Sequence, residues 1–267
     1  DFIKFGSIAI PLIIICIVGV LILVKLLIKK VPISSKMSYL IAIGTSVCGA
    51  TAIVATAPVI NAKKSEVAYA IANITLFGVI AMLLYPYFAE WYFDNEALNI
   101  GLFLGTSIHE TSQVAAAGLI YDQQFNSPET LNVATVTKLI RNTFLVVLIP
   151  LFAFLYNRGE LKGQKYSIFN IFPYFVLGFI GMIIVRNLGD QFYPVGSNNH
   201  EIWVNLIEYF KILTTVFLTM AMAAVGISIN LSELKSMGYK PFVVGLIAAV
   251  TVGIISLIYI ETLNKFI

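Results

Sequence analysis

The sequence predicts an all-α integral membrane protein, a multi-spanning helical bundle, and three observations carry that prediction. Hydrophobic residues make up 59% of the 267 and charged residues only 12%, with a mean hydropathy of +0.90. Runs close to the ~20 apolar residues needed to cross a bilayer recur along the whole chain. Two segments then interrupt the apolar pattern in nearly the same words: Gly44-Thr45-Ser46-Val47-Cys48-Gly49-Ala50-Thr51 and Gly105-Thr106-Ser107-Ile108-His109-Glu110-Thr111-Ser112. Lipid offers no partner to a freed amide or hydroxyl, so such backbone survives only where it lines a cavity or is buried in protein. Paired interruptions of this kind point to a transporter's binding site.

In chain order, the first span is read over 7–28 and closes on Lys25, Lys29 and Lys30. The first motif segment covers 37–60, with Pro58 and Asn61 expected to end it. A span follows over 66–89, in which Asn73 is expected to end or kink a helix and Pro86 lies near the end. Trp91, Tyr92 and Phe93 come next as interfacial aromatics, as does Trp203 further on. The second motif segment covers 98–122. Spans over 131–156 (with Pro150 near its end), 168–186, 203–229 and 241–261 complete the bundle. Within 203–229, Thr214, Thr215, Thr219 and the small residues up to Gly226 and Asn230 read as a close-packing surface. Asp1 opens the chain and a span begins almost at once, with no charged leader or cleavage site. The expectation is a single transmembrane domain over 1–267, lacking N-terminal spans of a longer protein or already processed.

Lys and Arg accumulate on the cytoplasmic side of membrane proteins. Lys25, Lys29, Lys30 and Lys36, then Lys63 and Lys64, mark two connections as cytoplasmic although 37–60 lies between them. Glu90, Asp94 and Glu96, then Asp122 and Glu129, mark two as external although 98–122 lies between them. Arg158, Lys162 and Lys165, and Lys235 and Lys240, return to the cytoplasm. The pattern is consistent if each motif segment enters and leaves on one face, the two from opposite faces, as in an inverted-topology repeat. Two full crossings that violate the bias are the alternative. In both cases the helices are expected to break at the glycines.

Thr106, His109, Glu110 and Gln113 stand at i, i+3, i+4 and i+7, one face of a continuous helix. An intramembrane carboxylate is costly and therefore a functional candidate. Glu110 is the expected coupling carboxylate, with His109 adjusting its protonation. The first motif carries no charge, but Thr45, Ser46, Cys48, Gly49 and Thr51 offer hydroxyls, a thiol and bare backbone. A helix broken there presents free amides that suit an anion. Those residues, with Thr106, Ser107 and Gln113, form the expected substrate site. Lys138 and Arg141 would offset the charge of Glu110 or of a bound anion, unless they snorkel to the interface.

Cys16 and Cys48 both lie in apolar segments, and only His109 and His200 are available, so no disulfide framework, metal or cofactor is expected. No nucleophile–base pair stands beside Cys48, and an enzyme is not expected. The charge of +3 is a loop property and gives no reason to invoke nucleic acid.

These residues carry a resemblance. Gly44–Gly49 through Ala57-Pro58-Val59-Ile60, Gly105–Glu110 through Gln113–Gly118, Lys138-Leu139-Ile140-Arg141, and Thr219–Gly226 with Lys240-Pro241 together resemble the YeiH-type family of inner-membrane proteins described as sulfate exporters. The resemblance runs in order across most of the chain. It implies a multi-spanning inner-membrane protein related to inverted-repeat, cation-coupled carriers, and it supplies no binding residues. The expected function is secondary active transport of a small anion (sulfate, sulfonate or similar), coupled to protons or sodium. A cation-coupled organic-acid symporter is the alternative in the same class, and a channel or non-transporting sensor is the alternative in another. The expected partners are the anion, the coupling ion and the bilayer, with self-association into a homo-oligomer left open.

Overall fold

The computed structural model describes residues 2–160, 175–197, 199–228 and 238–265. Among the described residues the regular structure is entirely helical. In chain order the helices are α1 (Phe2–Ile28), α2 (Ser35–Ser46), α3 (Gly49–Thr56), α4 (Lys64–Phe93), α5 (Ala97–Ser107), α6 (Thr111–Phe125), α7 (Pro128–Thr143), α8 (Leu145–Glu160), α9 (Phe175–Phe192), α10 (His200–Ser228) and α11 (Lys240–Asn264). Asp1–Ile171 and Asn230–Ile267 form one compact unit, and Phe172–Ile229 forms another.

Phe5–Ile28, Lys64–Phe93, Pro128–Phe152 and Lys240–Asn264 are long and apolar enough to cross a membrane. They coincide with the spans expected over 7–28, 66–89, 131–156 and 241–261. The span expected over 168–186 begins outside the described residues. Helix α10 carries the one expected over 203–229, but the side chains of Thr214, Thr215 and Thr219, and the whole of Asn230, lie outside the described set. In that second unit, the Trp203 indole donates to Asp190 Oδ1 at 2.8 Å and stacks on Tyr193, which ties α9 to α10.

Helix α11 serves as a ruler for the first unit. Beside its start, Tyr69 Oη donates to the Gly238 carbonyl and Asn73 Nδ2 to the Pro241 carbonyl, both at 2.9 Å. Beside its finish, Tyr92 Oη donates to Glu261 at 3.0 Å. Helices α4 and α11 therefore run parallel. Asn73 does not end a helix: it sits inside α4, buried, where Gly245 leaves room for its amide. Trp91 is 79% exposed, as a lipid-interface residue would be, but Phe93 turns inward against Phe103.

The two motif segments approach from opposite ends of this ruler. Near the start of α11, Ser34 Oγ donates to Glu66 Oε1 at 2.5 Å, which places the beginning of α2 beside the first turn of α4. Lys36 Nζ donates to the Asn61 carbonyl at 2.8 Å, which brings the chain beyond α3 back to the same end. Helices α2 and α3 pack on each other, with Ile53 filling the space a side chain at Gly44 would take. Near the finish of α11, Asn99 Nδ2 donates to Asn264 Oδ1 at 3.3 Å, and Tyr121 Oη donates to Glu90 at 2.5 Å. Helices α5 and α6 thus begin and finish at that other end. Each motif segment is a hairpin that goes in and returns. The 12 residues of α2 and 11 of α5 reach roughly 18 and 16 Å, about half of a ~30 Å hydrocarbon core.

Lys36, Lys63, Lys64 and Lys240 stand at one end of this unit, and Asp94, Glu96 and Glu261 at the other. By the positive-inside bias, the lysine end is the one expected to face the cytoplasm. In a background without Cys16 and Cys48, Ser35→Cys and Lys64→Cys should both react with a membrane-impermeant thiol reagent from the cytoplasmic face. Glu96→Cys and Gln124→Cys should both react from the outside. Ser35 and Lys64 labelling from different faces would contradict the hairpin geometry.

Helix α7 starts at the acidic end, with Pro128 in its first turn, and inserts against α5 and α6. Helices α5 and α7 approach closely at Gly105, where an added Cβ would stand 2.6 Å from the Ala134 carbonyl. This close fit carries Lys138 about 15 Å and Arg141 about 20 Å along the helix, to the depth where the hairpin tips meet.

Candidate functional site

The tips are breaks in the helical backbone. Helix α2 ends at Ser46, Val47 and Cys48 leave helical geometry (φ/ψ −132°/−95° and −126°/66°), and α3 starts at Gly49. Helix α5 ends at Ser107, and α6 restarts at Thr111 after extended backbone at Ile108 (φ/ψ −88°/140°) and Glu110 (−96°/143°). The first break therefore falls at a glycine, Gly49, as the sequence suggested, and the second does not. Gly44 and Gly105 lie inside α2 and α5 as packing positions, and the second break contains no glycine, because extended backbone does not require one. Gly49 alone has a conformational role, at φ +29°.

This break also separates residues that a continuous helix would align. Thr106 belongs to α5, His109 and Glu110 to the connection, and Gln113 to α6, so the four do not share one helical face. Thr106 Oγ1 bonds back to the Leu102 carbonyl and to Ser256 Oγ of α11, both at 2.7 Å. Ser107 and Ser46 likewise bond back to the carbonyls of Phe103 and Ala42. Such back-bonding occupies a hydroxyl within its own helix. Thr51 is exposed, and Thr45 is buried with Oγ1 unpartnered among the described residues.

A broken helix leaves its last carbonyls without intrahelical partners and with partial negative charge. Both sets are met by α7. Lys138, fully buried, donates to the carbonyls of Val47 (2.8 Å), Ile108 (2.9 Å) and His109. Arg141, also fully buried, donates through Nε to Ser46 O (2.8 Å), through Nη2 to Thr45 O (2.5 Å) and through Nη1 to Thr106 O. Each cation therefore ties one hairpin to the other. Neither head snorkels, and neither forms an ion pair with Glu110 among the described residues. The three Lys138 donors all go to carbonyls, which leaves none over for a bound anion.

The opposite ends of the breaks carry free amides and partial positive charge. Glu110 stands at the N-cap of α6, yet its side chain makes no cap bond to that helix. Its Oε1 instead accepts from the Ala50 amide of α3 at 2.6 Å, across the junction. Cys48, the N-cap residue of α3, makes no cap bond, and its Sγ lies 3.6 Å from Thr111 Oγ1. Asn142 Nδ2 donates to the same hydroxyl at 3.0 Å. Gln113 Nε2 donates to the Thr75 carbonyl at 3.1 Å, in space that Gly78 leaves open. Several buried polar atoms around the tips lack a partner among the described residues: His109 Nδ1, Gln113 Oε1, Asn142 Oδ1, Thr75 Oγ1 and Thr137 Oγ1. The junction thus has a cation-capped side and an amide-lined side closed by one carboxylate.

Thr75 and Ser256 were not singled out in the sequence as site residues. They belong to helices that read as plain spans, and only the fold brings them to the tips. Gly49 is the most constrained position: its φ is unfavourable for an L-residue, and a Cβ there would collide with the Glu110 carboxylate. Gly49→Ala should cost about 1–3 kcal/mol, read as a lower melting temperature of the detergent-solubilised protein. An unchanged melting temperature would contradict this tight approach.

The family described as conserved hypothetical protein 698 matches residues 1–245. The chain belongs to this family. A UPF0324 membrane protein of Fusobacterium nucleatum is 36% identical over 261 residues, covering 96% of this chain and 75% of the relative. One from Streptococcus agalactiae is 35% identical over 256 residues, 94% of this chain and 72% of the relative. The UPF0324 inner membrane protein YeiH of Escherichia coli K12 is 32% identical over 225 residues, 82% of this chain and 58% of YeiH. No solved structure matches the chain. The chain is an integral membrane protein: among the described residues four helices are long and apolar enough to cross a bilayer, and its relatives are named membrane proteins.

Proposed function

We propose that this UPF0324 protein forms the core of a secondary active transporter for a small anion, coupled to protons or sodium and working without enzymatic chemistry. The observation that supports this reading most is the meeting of two hairpins from opposite ends of the bundle at a buried, charged junction. Helices broken at mid-membrane, with their termini turned on a central site, are a transporter device. Two such hairpins in opposite orientation fit an inverted-topology repeat and suit a site that is opened alternately to either face. The anion reading rests on the N-termini of α3 and α6, because amide-lined helix starts favour negative charge. Lys138 and Arg141 support it indirectly, by neutralising the carbonyl ends that would otherwise repel an anion.

The test is exchange across proteoliposomes holding the full-length protein and loaded with unlabelled sulfate. Labelled sulfate outside should enter by saturable counterflow, and sulfonates and carboxylates that share the site should compete. Flux that never saturates and shows no counterflow would indicate a channel and contradict the proposal.

A further inference from the structure

We infer that Glu110 is a tethered anion occupying the substrate's own place at the start of α3, and that a small oxyanion binds when this carboxylate is protonated and leaves. The inference rests on the anion-transport reading and specifies how its site is guarded. Four observations carry it. First, Glu110 sits where a side chain normally caps its own helix, but it makes no such bond and reaches across to Ala50 of the other hairpin. Second, Gly49 gives up its Cβ space to that carboxylate at the cost of a left-handed φ, so the carboxylate is seated in a fitted recess. Third, the α6 amides at Thr111, Ser112 and Gln113 precede the first intrahelical bond, Val114 N to Glu110 O, and receive no cap from Glu110. Fourth, His109, 2% exposed and in the connection next to Glu110, carries an Nδ1 with no partner among the described residues.

Two facing helix starts, one filled by a carboxylate and one uncapped, suit a ligand with two or more acceptor oxygens, such as a sulfate or sulfonate group. The substrate and the ionised Glu110 cannot share the α3 amides. Protonation removes the negative charge that holds Glu110 there, so proton uptake and anion loading become one event. The charged group acting on Glu110 is Lys138 from α7, and the nearest ionisable neighbours in the two connections are Cys48 and His109. Helix α4 brings the neutral Thr75 and Gly78 to the junction, at Gln113.

The test is equilibrium binding of labelled sulfate to the full-length protein in detergent, across a pH series. Wild type should bind more tightly as pH falls. Glu110→Gln keeps an acceptor for Ala50 N but no charge, and it should bind about tenfold more tightly at neutral pH, with little pH dependence. Ala50→Pro removes the shared amide and should weaken sulfate binding in both backgrounds. Glu110→Gln with unchanged or weaker affinity, in protein that still binds sulfate, would overturn the tethered-anion inference and leave anion transport standing. No binding of sulfate, sulfonate or carboxylate by any folded variant would overturn both.

Discussion

Arg141→Met should lower the stability of the protein by about 3–5 kcal/mol. The substitution orphans three buried carbonyls, those of Thr45, Ser46 and Thr106, at roughly 1–3 kcal/mol each. Release of the guanidinium from its dry site offsets part of that cost. Because these carbonyls belong to two hairpins inserted from opposite ends, the loss also unties the hairpins from each other. Lys138→Met should act in the same direction through Val47, Ile108 and His109. Arg141→Lys keeps the charge but not the three-way fork, so its melting temperature should fall between wild type and Arg141→Met. Thermal unfolding of the detergent-solubilised protein reads all three. Wild-type melting of Arg141→Met would mean that the cation does not hold the tips together.

Glu110→Gln should abolish proton-driven accumulation of the substrate while leaving downhill exchange in place. One pH unit supplies about 1.36 kcal/mol per proton, so a one-proton carrier can concentrate substrate about tenfold per unit. The variant has no titrating carboxylate at the junction and should show no such gain at any imposed pH difference. His109 stays next to it and should not rescue the coupling, because it does not bond to the α3 amides that the substrate needs. Full pH-driven accumulation by the variant would remove Glu110 from the coupling step.

Much of this fold is legible in the sequence, for physical reasons. The spans over 7–28, 66–89, 131–156 and 241–261 read correctly because a bilayer core demands long apolar runs, and the loop charges separated a lysine end from an acidic end. The echo between the segments at Gly44 and Gly105 located both breaks to within a few residues. What the sequence misplaced was the cause of the second break. Glycine was taken as its cause, whereas the stop at Ser107 is an extended turn whose carbonyls are satisfied from another helix. That partner was visible as two basic residues three apart in α7, a spacing that puts both heads on one face. Reading them as counter-ions for a carboxylate or substrate overlooked the carbonyls that a broken helix always exposes. Glu110 illustrates the same limit: its candidacy was legible from its cost in a membrane, but its partner, Ala50, is 60 residues away.

The most direct test of the account is concentrative uptake. Full-length protein in proteoliposomes would be given labelled sulfate on both sides at equal concentration, and then an inwardly directed proton or sodium gradient. The account requires sulfate to accumulate inside above its external level, transiently and only while the gradient lasts. Sulfate that stays at equilibrium under both gradients, in vesicles where counterflow shows the protein to be active, would contradict a coupled transporter.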